Sequence, residues 1–364
     1  LGLLSYNQGN KNEALNYYKD VFKHNPTKEE SQDALTAIQE IYVDDLGQPD
    51  EYIKFVESIP GGGLNNYAKD SLNYSVALRY YENGNYDQAI TAFSDYLQKF
   101  PRGLNTLPAT FKRGEAYAIQ KKYDQALTDY ESVISRGQSE YYQKSLLKAA
   151  TIAYNSSQNF EKAYKYYAEL ANQNVDDNTL FESQLGAMRS AYRTNRTKDV
   201  INYGEKVATS TLANKEQKAT ASFYLGKIYF DQNNYTQAKD YLQNVVNNSD
   251  NVQTAEARYL LASIQYNLKS PDAEATAKKA VQSNSNYPYW VAKSLILLSD
   301  IFADKNDLLN ARGALEAVLD NYKEDPEITK TAQTKLDAVK KRQASTNKLL
   351  PTDPKSNQFF DTKN

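Results

Sequence analysis

A five-residue signature recurs along this chain at a constant interval. "NYDQA" at 85–89 is followed by "KYDQA" at 122–126, "NFEKA" at 159–163 and "NYTQA" at 234–238, with looser forms "NKNEA" at 10–14 and "DLLNA" at 307–311. The closing alanines are Ala14, Ala89, Ala126, Ala163, Ala238 and Ala311, separated by 75, 37, 37, 75 and 73 residues. These are one or two steps of about 37. A constant period means that one supersecondary unit has been copied, and such a unit buries its apolar face only by stacking on its neighbours. Each long gap should therefore hold a degenerate copy. "YVDDLGQPDEYIKFVESIP" (42–60), "AYRTNRTKDVINYGEKV" (191–207) and "QYNLKSPDAEATAKKAV" (265–281) fill the three gaps, making nine units up to about residue 325.

Within a unit the apolar spacing is helical. Ala89, Phe93, Tyr96 and Phe100 follow an i, i+4, i+7, i+11 stripe, and Val76, Ala77 and Tyr80 form another before the "NGN" turn. Both stripes are the buried face of an amphipathic helix, so each unit reads as a helix pair. The turn within a pair is expected at Gly or Asn, which tolerate a left-handed backbone. Pro26, Pro60 and Pro101 punctuate the ends of second helices, where a missing N–H costs little. With 14 Gly and 10 Pro among 364 residues, breakers are scarce enough for an all-α fold.

These positions resemble the tetratricopeptide repeat, whose pattern is W-x2-L-G-x2-Y, then G-x-Y-x2-A-x3-F, then a helix-ending Pro. The matches are Leu1, Gly2, Gly9, Ala14, Tyr18, Val21 and Pro26 in the first unit, and Ala77, Tyr80, Gly84, Tyr86, Ala89, Phe93, Tyr96 and Pro101 in the third. A further set is Leu225, Gly226, Tyr229, Tyr235, Ala238, Leu242 and Val245. The resemblance implies a right-handed superhelical solenoid over 1–325. Its units are expected around 1–26, 30–60, 67–101, 108–138, 143–174, 179–210, 215–249, 252–285 and 288–325. Leu1 and Gly2 match the seventh and eighth positions of the pattern, so the chain is expected to be a fragment of a longer protein. "EITKTAQTKLDAVKKRQ" lies within an expected capping helix at 326–345, with Lys340, Lys341 and Arg342 complementing the dipole of its last turn. The polar remainder, 346–364, is expected to be a flexible tail carrying the Phe359–Phe360 pair. "PGGGLNN" (60–66) lacks the Lys-Ser/Thr of a phosphate loop and reads as an inter-unit joint.

Composition restricts the chemistry. There is no Cys and a single His, His24, which removes thiol nucleophiles, Cys-containing zinc sites and Ser-His-Asp catalysis beyond that one residue. Basic and acidic residues nearly balance at 43 and 45, so nothing in the charge favours nucleic acid or an anionic membrane. No run of 18 apolar residues offers a membrane span. No catalytic residue, metal or cofactor is expected.

In the family the concave groove is lined by first helices. Carried onto this sequence, groove positions fall on Tyr74, Leu78 and Tyr81, then Phe111 and Glu115, then Lys148, Ile152 and Asn155, and on Phe223, Lys227 and Phe230. The binding candidates are Tyr74, Tyr81, Glu115, Lys148, Asn155, Phe223, Lys227 and Phe230, with core packing as the competing role for the aromatics. The Lys-then-Asn clamp that grips a C-terminal carboxylate in part of the family is absent from these helices. Three functions are weighed: a non-catalytic scaffold for a protein or peptide partner, a cell-envelope glycan binder, and self-association of the array. Tyr287, Tyr289 and Trp290 in "NYPYWVAK" are the sugar-stacking candidates. The likeness to long bacterial envelope proteins of this family implies a periplasmic or outer-membrane location, with cytoplasm as the alternative.

Overall fold

The computed structural model describes residues 1–349, with side chains to residue 345. Residues 350–364, including Phe359 and Phe360, lie outside the described residues. The described chain is helical throughout, with no strand among the described residues. Eighteen helices follow one another, two to each period along the described chain: α1 Gly2–Asn7 and α2 Lys11–Asp20; α3 Lys28–Gln39 and α4 Pro49–Ser58; α5 Asn66–Glu82 and α6 Tyr86–Lys99; α7 Thr106–Ile119 and α8 Tyr123–Ser135; α9 Tyr142–Asn155 and α10 Phe160–Leu170; α11 Asp177–Arg193 and α12 Thr197–Thr209; α13 Lys215–Asp231 and α14 Tyr235–Asn248; α15 Val252–Asn267 and α16 Ala273–Ser283; α17 Pro288–Asp304 and α18 Leu308–Asn321. The last helix, α19, spans Pro326–Leu349 and so runs past the expected end at 345. A π-helical segment, Glu40–Asp45, continues α3.

The helices form two compact units, Leu1–Thr194 and from Asn195 onward, where the sequence period predicts one array. In the first unit, α5 packs on α6 and α7, and α9 on α10 and α11. First helices also meet each other, α5 with α7 and α9 with α11. The second unit repeats this arrangement, with α13 on α15, α15 on α17 and α17 on α19.

Each pair turns on one residue in the left-handed region: Gly9, Gly47, Gly84, Lys121, Gln158, Asn195, Asn233, Lys269 and Asn306. Six of these turns close with the same two hydrogen bonds. In the third pair, Gly84 N–H donates to the Tyr81 carbonyl (3.0 Å) and Asn85 N–H to that of Tyr80 (2.8 Å), which satisfies the last carbonyls of α5. Lys121, Gln158 and Lys269 depart from the expected Gly or Asn. The two hydrogen bonds hold the geometry at Lys121 and Lys269, and at Gln158 the bonds from Ser157 N–H to Ile152 and from Asn159 N–H to Ala153 do so, whatever the side chain, so the conformation persists at a local cost. Replacing Lys121 or Gln158 by Gly should stabilise the protein by about 0.5–1 kcal/mol each, because relief of left-handed strain exceeds the added unfolded-state entropy. Thermal melts of the two single variants check this.

The signature alanines Ala14, Ala89, Ala126, Ala163, Ala238 and Ala311 are wholly buried. A small side chain at that point lets the second helix lie close against the first. Glycines do the same elsewhere. A Cβ added to Gly226 would sit 2.8 Å from the Leu242 side chain, and one on Gly186 2.5 Å from the Tyr167 ring. Gly313, by contrast, is exposed on α18 with nothing within 4 Å of a Cβ. Gly186→Ala should therefore destabilise by about 1–3 kcal/mol through overpacking, whereas Gly313→Ala should stabilise by about 0.5–1 kcal/mol through helix propensity. Opposite shifts in denaturant midpoint are the expected result.

Successive pairs are also tied by polar contacts one period apart. The Tyr6 hydroxyl donates to Glu40 (3.3 Å), Tyr81 to Glu115 (3.1 Å), Tyr166 to Glu131 (2.7 Å) and Tyr266 to Asp304 (2.8 Å). Within the α9–α10 pair, Tyr142 donates to Glu169. At the end of the array, Lys335 bonds Asp300 (2.6 Å), and Arg342 donates to the Ala303 carbonyl (3.2 Å) in the last turn of α17. Arg342 thus serves the terminus of α17. Because α19 continues to Leu349, the basic run does not lie in that helix's own last turn.

Burial first, then the neighbouring carboxylates, push the Tyr6 and Tyr266 phenols up to about 12. The bond to Glu169, reinforced by burial, does the same for Tyr142. A folded value above the unfolded one of about 10 means that the neutral phenol is favoured by folding. That stabilisation is complete below pH ~10 and is lost as pH rises through ~12. Thermal stability should fall over this interval together with the rise in tyrosinate absorbance. Tyr266→Phe should flatten part of the fall.

Candidate functional site

The first-helix face of α5, α7 and α9 carries most of the expected groove residues of the first unit. Tyr81, at the end of α5, and Glu115, on α7, meet through the Tyr81 hydroxyl. Lys112 donates to the same Glu115 oxygen (2.9 Å), and its ammonium lies 4.6 Å from the centre of the Tyr81 ring. Tyr86 approaches Tyr81 edge-on at 5.8 Å. Glu115 is thus charge-compensated and held in place, with its side chain 19% exposed. Burial and Glu115 raise the Tyr81 phenol well above its ordinary range, so at neutral pH it remains a donor. Beneath them, the Tyr130 hydroxyl is buried and has no hydrogen-bond partner among the described residues.

Lys148 and Asn155 lie seven residues apart on α9, both exposed, and so share one face. Ile152 between them is buried, and Phe111 likewise belongs to the interior, with Tyr141 packed on it at 5.0 Å. Tyr74 proves to be a packing residue. Its ring lies 5.8 Å from Tyr96 and 6.1 Å from Phe93, and burial pushes its phenol up to about 12.

In the second unit the groove positions serve the core more than a surface. Phe223 is 4% exposed and packs in a cluster with Leu225, Tyr229, Leu242 and Leu260, so its assignment to the groove is corrected. The physical reason is the burial of α13, which also hides Ala219, Ala221, Ser222 and Gly226 and leaves little free circumference. Phe230 is half-buried against the same cluster, its ring 5.8 Å from Tyr235. Lys227 forms a 2.6 Å ion pair with Glu256.

The expected sugar-stacking cluster is gathered at the start of α17. Tyr289 meets Trp290 at 4.8 Å with perpendicular rings, and Tyr259 packs on Trp290 at 5.6 Å. Tyr287 is the residue before the helix. Much of the Trp290 ring is therefore engaged by neighbouring tyrosines, a packing that Tyr259 completes from one period upstream. Sequence spacing missed Tyr259, Lys112 and Tyr141. The Lys112–Glu115 spacing of three on a helix was the available signal for one of them.

Among the described residues, no group of three or more His, Cys, Asp or Glu is placed to hold a metal. No described helix is long and apolar enough to cross a membrane.

Two segments, residues 76–142 and 224–288, match the tetratricopeptide repeat family model. Among solved structures, the C-terminal part of a TPR repeat-containing protein from Cytophaga hutchinsonii is similar at 17% identity and a TM-score of 0.48, covering 71% of this chain and 98% of that one. A tetratricopeptide repeat protein from Parabacteroides merdae shows 12% identity and a TM-score of 0.39, over 73% and 98% of the respective chains. The apo form of the quorum sensor NprR from B. thuringiensis shows 12% identity and a TM-score of 0.40, over 95% and 99%. Among curated proteins there is no match.

Proposed function

Since the chain carries tetratricopeptide repeats at residues 76–142 and 224–288, we propose that it is a non-catalytic scaffold that binds a protein or peptide segment along the first-helix face of α5, α7 and α9. The observation that carries this reading is the Tyr81, Lys112 and Glu115 contact between α5 and α7, together with the exposed Lys148 and Asn155 on α9. Helices stacked in register present a row of side chains at repeat spacing, which suits an extended partner better than a compact small molecule. The row mixes a cation, an amide, a phenol and a compensated carboxylate. Such a surface recognises a partner by hydrogen bonds with a few aromatic contacts, and a single deep apolar anchor is not required.

The compartment proposed with this function is the bacterial envelope, periplasmic or outer-membrane associated, on the resemblance to long envelope proteins of the tetratricopeptide family, with cytoplasm as the alternative. Fractionation of the native protein with cytoplasmic markers would reject it.

Selection of peptides from a displayed library against the full chain tests the binding reading. A selected peptide should lose about 10–100-fold in affinity against a Tyr81→Ala, Lys148→Ala, Asn155→Ala variant, the scale expected when a few central contacts carry the binding. Far-ultraviolet circular dichroism of the variant should stay near that of the parent, with melting lowered only by the lost Tyr81–Glu115 contact, because Lys148 and Asn155 are exposed. Equal affinity for the parent and the variant would remove these residues from the site.

A further inference from the structure

The second unit contains a cleft unconnected with the groove residues discussed above. It lies between α14, α15 and α16, has a volume of about 190 Å³, and is lined by Lys239, Arg258 and Lys279 together with Gln243, Gln265 and Thr276. No carboxylate contributes to its lining. We propose that this cleft binds a tetrahedral oxyanion, a phosphate or sulfate group carried by a small molecule or present as the free ion.

Three observations lead there. The first is charge. Lys239 and Lys279 form no ion pair with any described residue, although 43 basic and 45 acidic side chains nearly balance in the chain as a whole. Two unpaired lysines beside an arginine whose carboxylate partner, Asp250, lies outside the cleft lining repel one another, and a bound anion removes that cost.

The second is pre-organisation. The Arg258 guanidinium donates to the Asn284 side-chain oxygen (3.1 Å) and the Ser283 carbonyl (3.2 Å). Asn284 is itself wholly buried and anchored to the Ala255 carbonyl at 3.0 Å. The guanidinium is thereby fixed at the cleft wall through two neutral partners. The carboxylate it meets, Asp250 at 3.3 Å, has a side chain 82% exposed and screens it weakly.

The third is an unsatisfied group. The Gln265 side-chain oxygen is buried without a hydrogen-bond partner. Gln265 lines the cleft, and a turn of its side chain toward the opening would let an anion accept from its N–H₂ group. Leaving a buried amide atom unpaired is costly, so a ligand that satisfies it gains accordingly.

Size narrows the class. Sites for drug-sized ligands occupy roughly 300–1,000 Å³, so this cleft accommodates a single anionic group and excludes a whole nucleotide. A doubly charged tetrahedral anion offers four acceptor oxygens to three cations and an amide, whereas a carboxylate offers two.

Calorimetric titration of the full chain with inorganic phosphate at low ionic strength is the test. The expected result is saturable binding at one site per chain, displaced by sulfate and poorly displaced by acetate. In a Lys239→Gln, Lys279→Gln variant the affinity should drop at least about tenfold, since two of three charges are lost. Its melting temperature without phosphate should be no lower than the parent's, as both side chains are exposed and their repulsion is removed. A melting-temperature rise with phosphate should saturate in the parent and disappear in the variant. Absence of saturable binding, equal affinity in the variant, or acetate competing as well as sulfate would each overturn the proposal. None of these outcomes depends on the peptide-binding reading, which concerns residues of the first unit.

Discussion

Everything in this molecule depends on how closely the second helix of each pair approaches the first. The approach is set by an alanine with no exposed surface, at Ala14, Ala89, Ala126, Ala163, Ala238 and Ala311. A longer side chain there would prise the pair apart and expose the aromatic stripe beyond it, of which Phe93 and Tyr96 are wholly buried examples. Gly226 meets the same demand within a pair and Gly186 between pairs, admitting a leucine and a ring at distances a Cβ could not share. Close packing of this kind has few alternative solutions, which is why one short signature can specify so much of the chain.

The aromatic residues follow from that constraint. A tyrosine on a helix-pair face is large enough to fill the space between units, and its hydroxyl can reach the next carboxylate. Tyr6, Tyr81, Tyr166 and Tyr266 each do so across about one period. A phenol thus joins apolar packing to a directional bond between neighbouring units. The abundance of tyrosine, 31 residues, is therefore largely architectural. Phe223 and Tyr74 illustrate the same economy, since groove positions of the family pattern are taken up here by the core.

The candidate binding surfaces arise where the repeat leaves side chains over. On α9 these are Lys148 and Asn155, and on α5 and α7 the Tyr81–Lys112–Glu115 contact is held by helices that stack regardless of any ligand. In the second unit they are the cations around the α14–α16 cleft, pinned by a buried asparagine. Both surfaces stand on rigid helices, so a partner would meet side chains already in position.

The sequence by itself determined the helix pairs, their period and the alanines and tyrosines that pack them, because these depend on spacing along one chain. It also placed most of the turns, since a left-handed residue is needed once per unit. It did not foresee Lys121, Gln158 and Lys269 at three of them, where capping hydrogen bonds override side-chain preference. Tertiary structure alone decided the division into two compact units, the transfer of Phe223 to the core, and the reach of Arg342 to the end of α17. It also decided which cations share the α14–α16 cleft. Those outcomes turn on contacts between residues many positions apart, and a one-dimensional period records which face a residue occupies, not what that face meets.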